Sequence, residues 1–234
     1  MSRALAAGGA IAAFLLATLT GANAQAFTGP NLPGTAQPPY FGDDVPTDKM
    51  VIELVTVNGS GCPAGTAAVA VSDDNTAFTV TYSDYLAQVG VGSTSTDFRK
   101  NCQLNLAIHV PQGFTYAVAG VNYRGYGYLE DGAVGTQKAQ YYFQGQATTD
   151  QRTHTFNGPL DDNWEANDTT DLASLVYAPC GEIRNFNINT ELRVSAGTSD
   201  PTTTTSFMTM DSTDGDVSTT YQLSWEKCPD GSGA

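Results

Sequence analysis

Leu104, Leu106, Ile108 and Val110 alternate with Gln103, Asn105, Ala107 and His109, and Phe186, Ile188, Leu192 and Val194 alternate with Asn187, Asn189, Glu191 and Arg193. Only an extended strand puts each of these sets on one face, because a helix scatters residues of period two around its axis. Further strands are expected over residues 51–57, 66–72, 78–83, 114–128, 137–146 and 153–156, with two more around Met208-Met210 and Tyr221-Trp225. No stretch beyond the first two dozen residues combines helical periodicity with helix caps. Asp131-Gly132 and Asp214-Gly215 carry the turn chemistry of tight hairpins. The first would pair the tyrosine-rich strand with Tyr141-Tyr142-Phe143, and the second would pair the last two strands. Many short strands without helical partners predict an all-β antiparallel two-sheet sandwich, with a jelly roll as one such arrangement and a closed barrel as the alternative.

The N-terminus has the pattern of an export signal over residues 1–24. Arg3 precedes an apolar run from Ala10 to Leu19, and the small residues Ala22, Asn23 and Ala24 follow. That run is too short to span a bilayer as a helix. Residues 25–47 form a lead-in rich in Pro and Gly, and residues 48–230 are long enough for a single domain. The formal charge is −14, and removal of Arg3 makes the remaining chain one unit more acidic. Such a surface repels phosphate backbones and anionic lipid headgroups, so nucleic acid and membrane are excluded as expected partners. Cys62, Cys102, Cys180 and Cys228 suggest two disulfides in an exported chain. Three pairings are open, of which the sequential one, Cys62 with Cys102 and Cys180 with Cys228, is favoured.

A resemblance runs in order along most of the chain. Gly59-Ser60-Gly61-Cys62-Pro63-Ala64-Gly65, Asp74-Asn75-Thr76-Ala77-Phe78-Thr79-Val80 and Arg99-Lys100-Asn101-Cys102-Gln103-Leu104-Asn105 come first. Tyr123-Arg124-Gly125-Tyr126, Tyr141-Tyr142-Phe143-Gln144-Gly145, Leu172-Ala173-Ser174-Leu175-Val176 and Pro179-Cys180-Gly181 follow. Together these blocks resemble a family of secreted fungal and bacterial proteins, domain of unknown function 4360, from about Met50 to Cys228. The resemblance implies secretion and paired cysteines, and it brings no catalytic residues with it.

The residues themselves offer little catalytic chemistry. A serine triad needs a positioned histidine, only His109 and His154 exist, and no serine sits in a G-x-S-x-G elbow. Paired carboxylates suited to glycoside hydrolysis could come from Glu130 and Asp131, or from Asp161, Asp162, Glu165 and Asp168 in what reads as one polar loop. Solvated loop charge accounts for the same residues. Asp211, Asp214 and Asp216 could supply oxygen ligands, yet neither they nor the acids of residues 161–168 follow the spacing of a calcium-binding loop. Neither a metal nor a cofactor is therefore expected.

Tyr126 and Tyr128 share one strand face by parity and Tyr123 takes the other. With Tyr141 across the expected hairpin, they would form either ordinary sheet packing or a flat platform on which sugar rings stack. Asn58-Gly59-Ser60 and Asn167-Asp168-Thr169 are glycosylation sequons. The expected function is a non-catalytic extracellular or cell-wall-associated binding or structural protein, with wall polysaccharide or an extracellular protein as partner. A secreted hydrolase of polysaccharide using paired carboxylates is the alternative.

Overall fold

A computed structural model describes residues 45–146, 151–171, 174–210 and 218–229. Contacts divide the chain into two units, 1–36 and 37–234, and the first lies outside the described residues, as does the export signal. The described chain is made of twelve strands: β1 (Val51–Asn58), β2 (Ala67–Val71), β3 (Ala77–Tyr82), β4 (Leu86–Gly90), β5 (Arg99–His109), β6 (Phe114–Leu129), β7 (Val134–Phe143), β8 (Arg152–Asn157), β9 (Leu160–Thr169), β10 (Phe186–Ser195), β11 (Thr205–Thr209) and β12 (Thr219–Lys227). One sheet has the order β1-β5-β10-β7-β8. The other has the order β2-β3-β12-β6-β11-β4, with β9 also paired to β6. Every ladder is antiparallel. No described helix is long and apolar enough to cross a membrane.

Alternation places the core as expected. Leu104, Leu106 and Ile108 of β5 and Phe186, Ile188, Leu192 and Val194 of β10 are buried between the sheets. The core is unusually aromatic. Phe78 and Tyr221 stack with centroids 4.7 Å apart, and Phe186 meets both of them and Phe143 edge-on or tilted. Both disulfides follow the sequential pairing, Cys62–Cys102 with Cα atoms 5.3 Å apart and Cys180–Cys228 at 5.8 Å.

Neither expected hairpin forms. β12 pairs with residues 114–123 of β6, β11 with residues 126–128, and β9 with residues 120–129. A strand has two edges, so these overlaps put β9 on one edge and β11 and β12 end to end along the other. The last two strands thus lie end to end along that edge, and Asp214-Gly215 lies outside the described residues. The Asp131-Gly132 turn does close, with the Ala133 amide donating to the Glu130 carbonyl at 2.9 Å and Gly132 at φ +80°. Because β9 and β11 already occupy both edges of β6 there, β7 cannot pair with it and crosses to the other sheet.

The segment read as a polar loop around Asp161 is strand β9. Its inward positions carry Trp164 and Ala166, both buried, while Asp161, Asn163, Glu165 and Asn167 face solvent. Carboxylates along a strand bonded on one edge only also discourage pairing with another chain.

Asn75 anchors the entry to the domain. At φ +57° and 2% exposed, it accepts the Met50 amide at 3.1 Å and donates to the carbonyls of Pro46 and Asp48. Its own carbonyl accepts the Trp225 indole N–H at 2.9 Å. Asn75→Ala is expected to lose three side-chain bonds and to strain the left-handed backbone, lowering stability by about 3 kcal/mol. Asn75→Gly should recover the backbone share only, a difference that urea melts of the two variants will measure.

Candidate functional site

The site grows from the alternation Gly125-Tyr126-Gly127-Tyr128 in β6. The glycines face inward and leave room for Trp164: a Cβ at Gly125 would lie 2.4 Å from the indole and 2.0 Å from the Thr209 carbonyl. Trp164 packs beneath the strand and donates its N–H to the Tyr126 carbonyl at 3.2 Å. The tyrosines take the opposite, outward face.

On that face Phe207 of β11 lies directly across from Tyr128. Its ring centroid is 5.9 Å from that of Tyr128, with planes 23° apart, and 6.0 Å from that of Tyr126. Three aromatic rings therefore form one patch on an outer sheet face, with Tyr128 36% exposed. The two tyrosine hydroxyls are held from the side. Tyr128 donates to Glu130 at 3.1 Å, and Tyr126 donates to Asp161. Each carboxylate pushes the phenol that bonds to it above the ordinary tyrosine pKa, so both rings remain neutral donors in fixed orientations. Along the same face, Glu165 accepts from Asn122 at 2.5 Å and from Asn167 at 3.1 Å, with the Arg124 guanidinium 3.8 Å away. Those amide bonds hold the Glu165 carboxyl below its usual range.

Tyr141 does not join this patch. It is 6% exposed in the core, packed against Phe186 and Tyr221, because β7 lies in the other sheet and residue 141 points inward there. Parity predicts Tyr126 and Tyr128 correctly, since the Tyr123 ring is buried on the inner face. Phe207 escaped notice in the sequence. Its signal is an aromatic residue at the outward position between the buried Ser206 and Met208.

The acidic residues are dispersed among separate tasks. Glu130 and Asp161 hold tyrosine hydroxyls, Asp162 accepts the Asn163 amide, and Asp168 turns inward to His154 at 3.1 Å. The other nitrogen of His154 meets Gln137 at 2.7 Å, so both ring nitrogens are engaged and no serine is among their partners. His109 sits 3.8 Å from Glu53 in the ladder of β1 and β5. Asp211, Asp214 and Asp216 lie outside the described residues. Both sequon asparagines, Asn58 and Asn167, end on solvent-facing strand positions.

The fold and this patch define a disulfide-braced, antiparallel two-sheet domain with an aromatic outer face. The chain belongs to the family described as domain of unknown function (DUF4360), whose pattern matches residues 48–228. It is 34% identical over 238 aligned residues to a protein of Arthroderma benhamiae described as an uncharacterized secreted protein, covering 92% of this chain and 96% of that one. The protein is accordingly a secreted one. A structural search finds the enzymatically active domain of tailspike protein 4 of bacteriophage CBA120 at 9% identity and a TM-score of 0.24, over 74% of this chain and 19% of the tailspike.

Proposed function

We propose that this secreted protein binds polysaccharide without cleaving it, using the Phe207, Tyr128 and Tyr126 rings as the contact surface. The observation that supports this reading is the clamped aromatic patch on an open sheet face. Rings fixed before binding lose little entropy when a ligand arrives, and sugar C–H faces stack on them while hydroxyls find the flanking carboxylates and amides. Hydrolysis needs two carboxyls facing one glycosidic bond across roughly 5–10 Å. Here the nearest acids, Glu130 and Asp161, are each engaged by a tyrosine hydroxyl on a flat surface.

The test is retention of the oxidised, secreted protein on insoluble chitin, β-glucan and cellulose, with released reducing sugar assayed alongside. Wild type should be retained without sugar release. Tyr128→Ala with Phe207→Ala should weaken retention by about thirtyfold, on the basis of about 1 kcal/mol per ring. Both positions lie on the outer face, with Tyr128 exposed and Phe207 half-buried, so the fold should persist at a cost of about 1 kcal/mol for the lost ring pair. Sugar release abolished by Asp161→Asn would overturn the reading in favour of an enzyme, and undiminished retention of the double variant would remove the patch from it.

A further inference from the structure

The outer face of the five-stranded sheet carries a second ordered surface. Register places Thr56, Asn105, Asn187 and Tyr142 in one row across four strands. The next row, two residues along each strand, is Asn58, Gln103, Asn189 and Gln140. Six of these eight side chains are amides and none is charged, in a chain whose formal charge is −14. The row beyond them, Asn101, Glu191 and Lys138, brings back both signs of charge and bounds the neutral zone. A depression of about 630 Å³ lies over it. The amides are aligned by one another: Asn105 donates to Asn187 at 2.8 Å and accepts from Asn185 at 2.6 Å.

We propose that this amide face is a second binding site, for an uncharged, extended polysaccharide chain. An amide offers a donor and an acceptor side by side, as a sugar hydroxyl does, and a surface with no net charge gains nothing from a charged ligand. Neighbouring strands are about 4.8 Å apart, close to the length of one hexose in an extended chain, so successive strands can meet successive sugars. Tyr142 closes one row with a half-buried ring able to stack on a terminal unit. The proposal depends on the function proposed above only for the class of ligand, and the two sites lie on outer faces of different sheets. A protein with both sites joins two polymer chains.

The experiment uses the full secreted chain carrying Ser60→Ala, which removes the Asn58 sequon and keeps the asparagine. Soluble β-glucan, mannan and hydroxyethyl cellulose serve as probes, with binding and turbidity measured together. With both sites intact, at least one probe should bind and precipitate by cross-linking. Gln103→Ala with Asn189→Ala should abolish precipitation while leaving binding through the aromatic patch. In a Tyr128→Ala, Phe207→Ala background the same amide pair should weaken the remaining binding by about tenfold. If the amide variants precipitate polymer like wild type, or no probe binds in the patch-deficient background, the amide site is wrong and the aromatic reading is untouched. Binding lost through the amide variants alone would uphold the amide site and remove the aromatic one. Two results assign the face to other occupants and overturn the proposal: a dimer in sedimentation that the amide variants dissociate, or, without Ser60→Ala, a glycan whose enzymatic removal creates the binding.

Discussion

Above about pH 10 the domain is expected to unfold in one steep step that returns on neutralisation. Five tyrosines, Tyr82, Tyr85, Tyr116, Tyr123 and Tyr221, are at most 2% exposed. Burial raises the pKa of each phenol well beyond its ordinary value, because the phenolate would lose its hydration in the core. The folded pKa therefore exceeds the unfolded value of about 10. The stabilisation is fully present below that pH and is lost as pH rises toward the folded values. Each such proton changes stability by about 1.4 kcal/mol per pH unit, so five together reach about 7 kcal/mol per unit. Against a typical total of 5–15 kcal/mol, one to two units suffice to unfold the domain. Part of the phenolate absorbance should appear only as the near-ultraviolet circular dichroism collapses, and Tyr82→Phe with Tyr221→Phe should move the transition to higher pH. Titration of all eleven tyrosines with the dichroism intact would contradict this packing.

Removal of both disulfides is expected to leave little folded protein at ambient temperature. The bridges close intervals of 40 and 48 residues, each worth about 4 kcal/mol in the chain-entropy account. Their sum, about 8 kcal/mol, lies within the whole stability of an ordinary domain. The two act at different places. Cys62 and Cys102 are buried in the core beside Tyr85, with Gly61 packed against its ring, so reduction there requires the fold to open. Cys180 and Cys228 are less buried and tie the segment after β9 to the end of β12. Backbone bonds support that attachment: Ala178 donates to Tyr116, and Cys228 to Gly113. A reductant should therefore open Cys180–Cys228 first with a fall of about 10 °C in melting temperature, and Cys62–Cys102 second with unfolding. A variant with all four cysteines changed to serine that melts within a few degrees of wild type would refute this.

What the residues disclosed in advance, and what they hid, follows from the range of the interactions involved. Period-two alternation reports a local geometry, so β5 and β10 and the outward positions of Tyr126 and Tyr128 were legible. Strand β9 was not, because its outward Asp161, Glu165 and Asn167 mask an inner face made by little more than Trp164 and Ala166. Pairing across the sheet is decided by competition for edges, which is non-local. Asp131-Gly132 carries hairpin chemistry, yet β9 and β11 hold both edges of β6 beside it, and Tyr141 consequently lies in the core. The same non-locality concealed Phe207 and the amide rows, each of which joins strands far apart in sequence.

The binding account is tested most directly by following ring resonances of the intact protein during titration with soluble β-glucan and chitin oligosaccharides. The prediction is movement of the Phe207, Tyr126 and Tyr128 signals, with the core rings Phe78 and Tyr221 unchanged and no new reducing ends formed. Unmoved outer rings at saturating oligosaccharide, or reducing ends that accumulate with time, would contradict it.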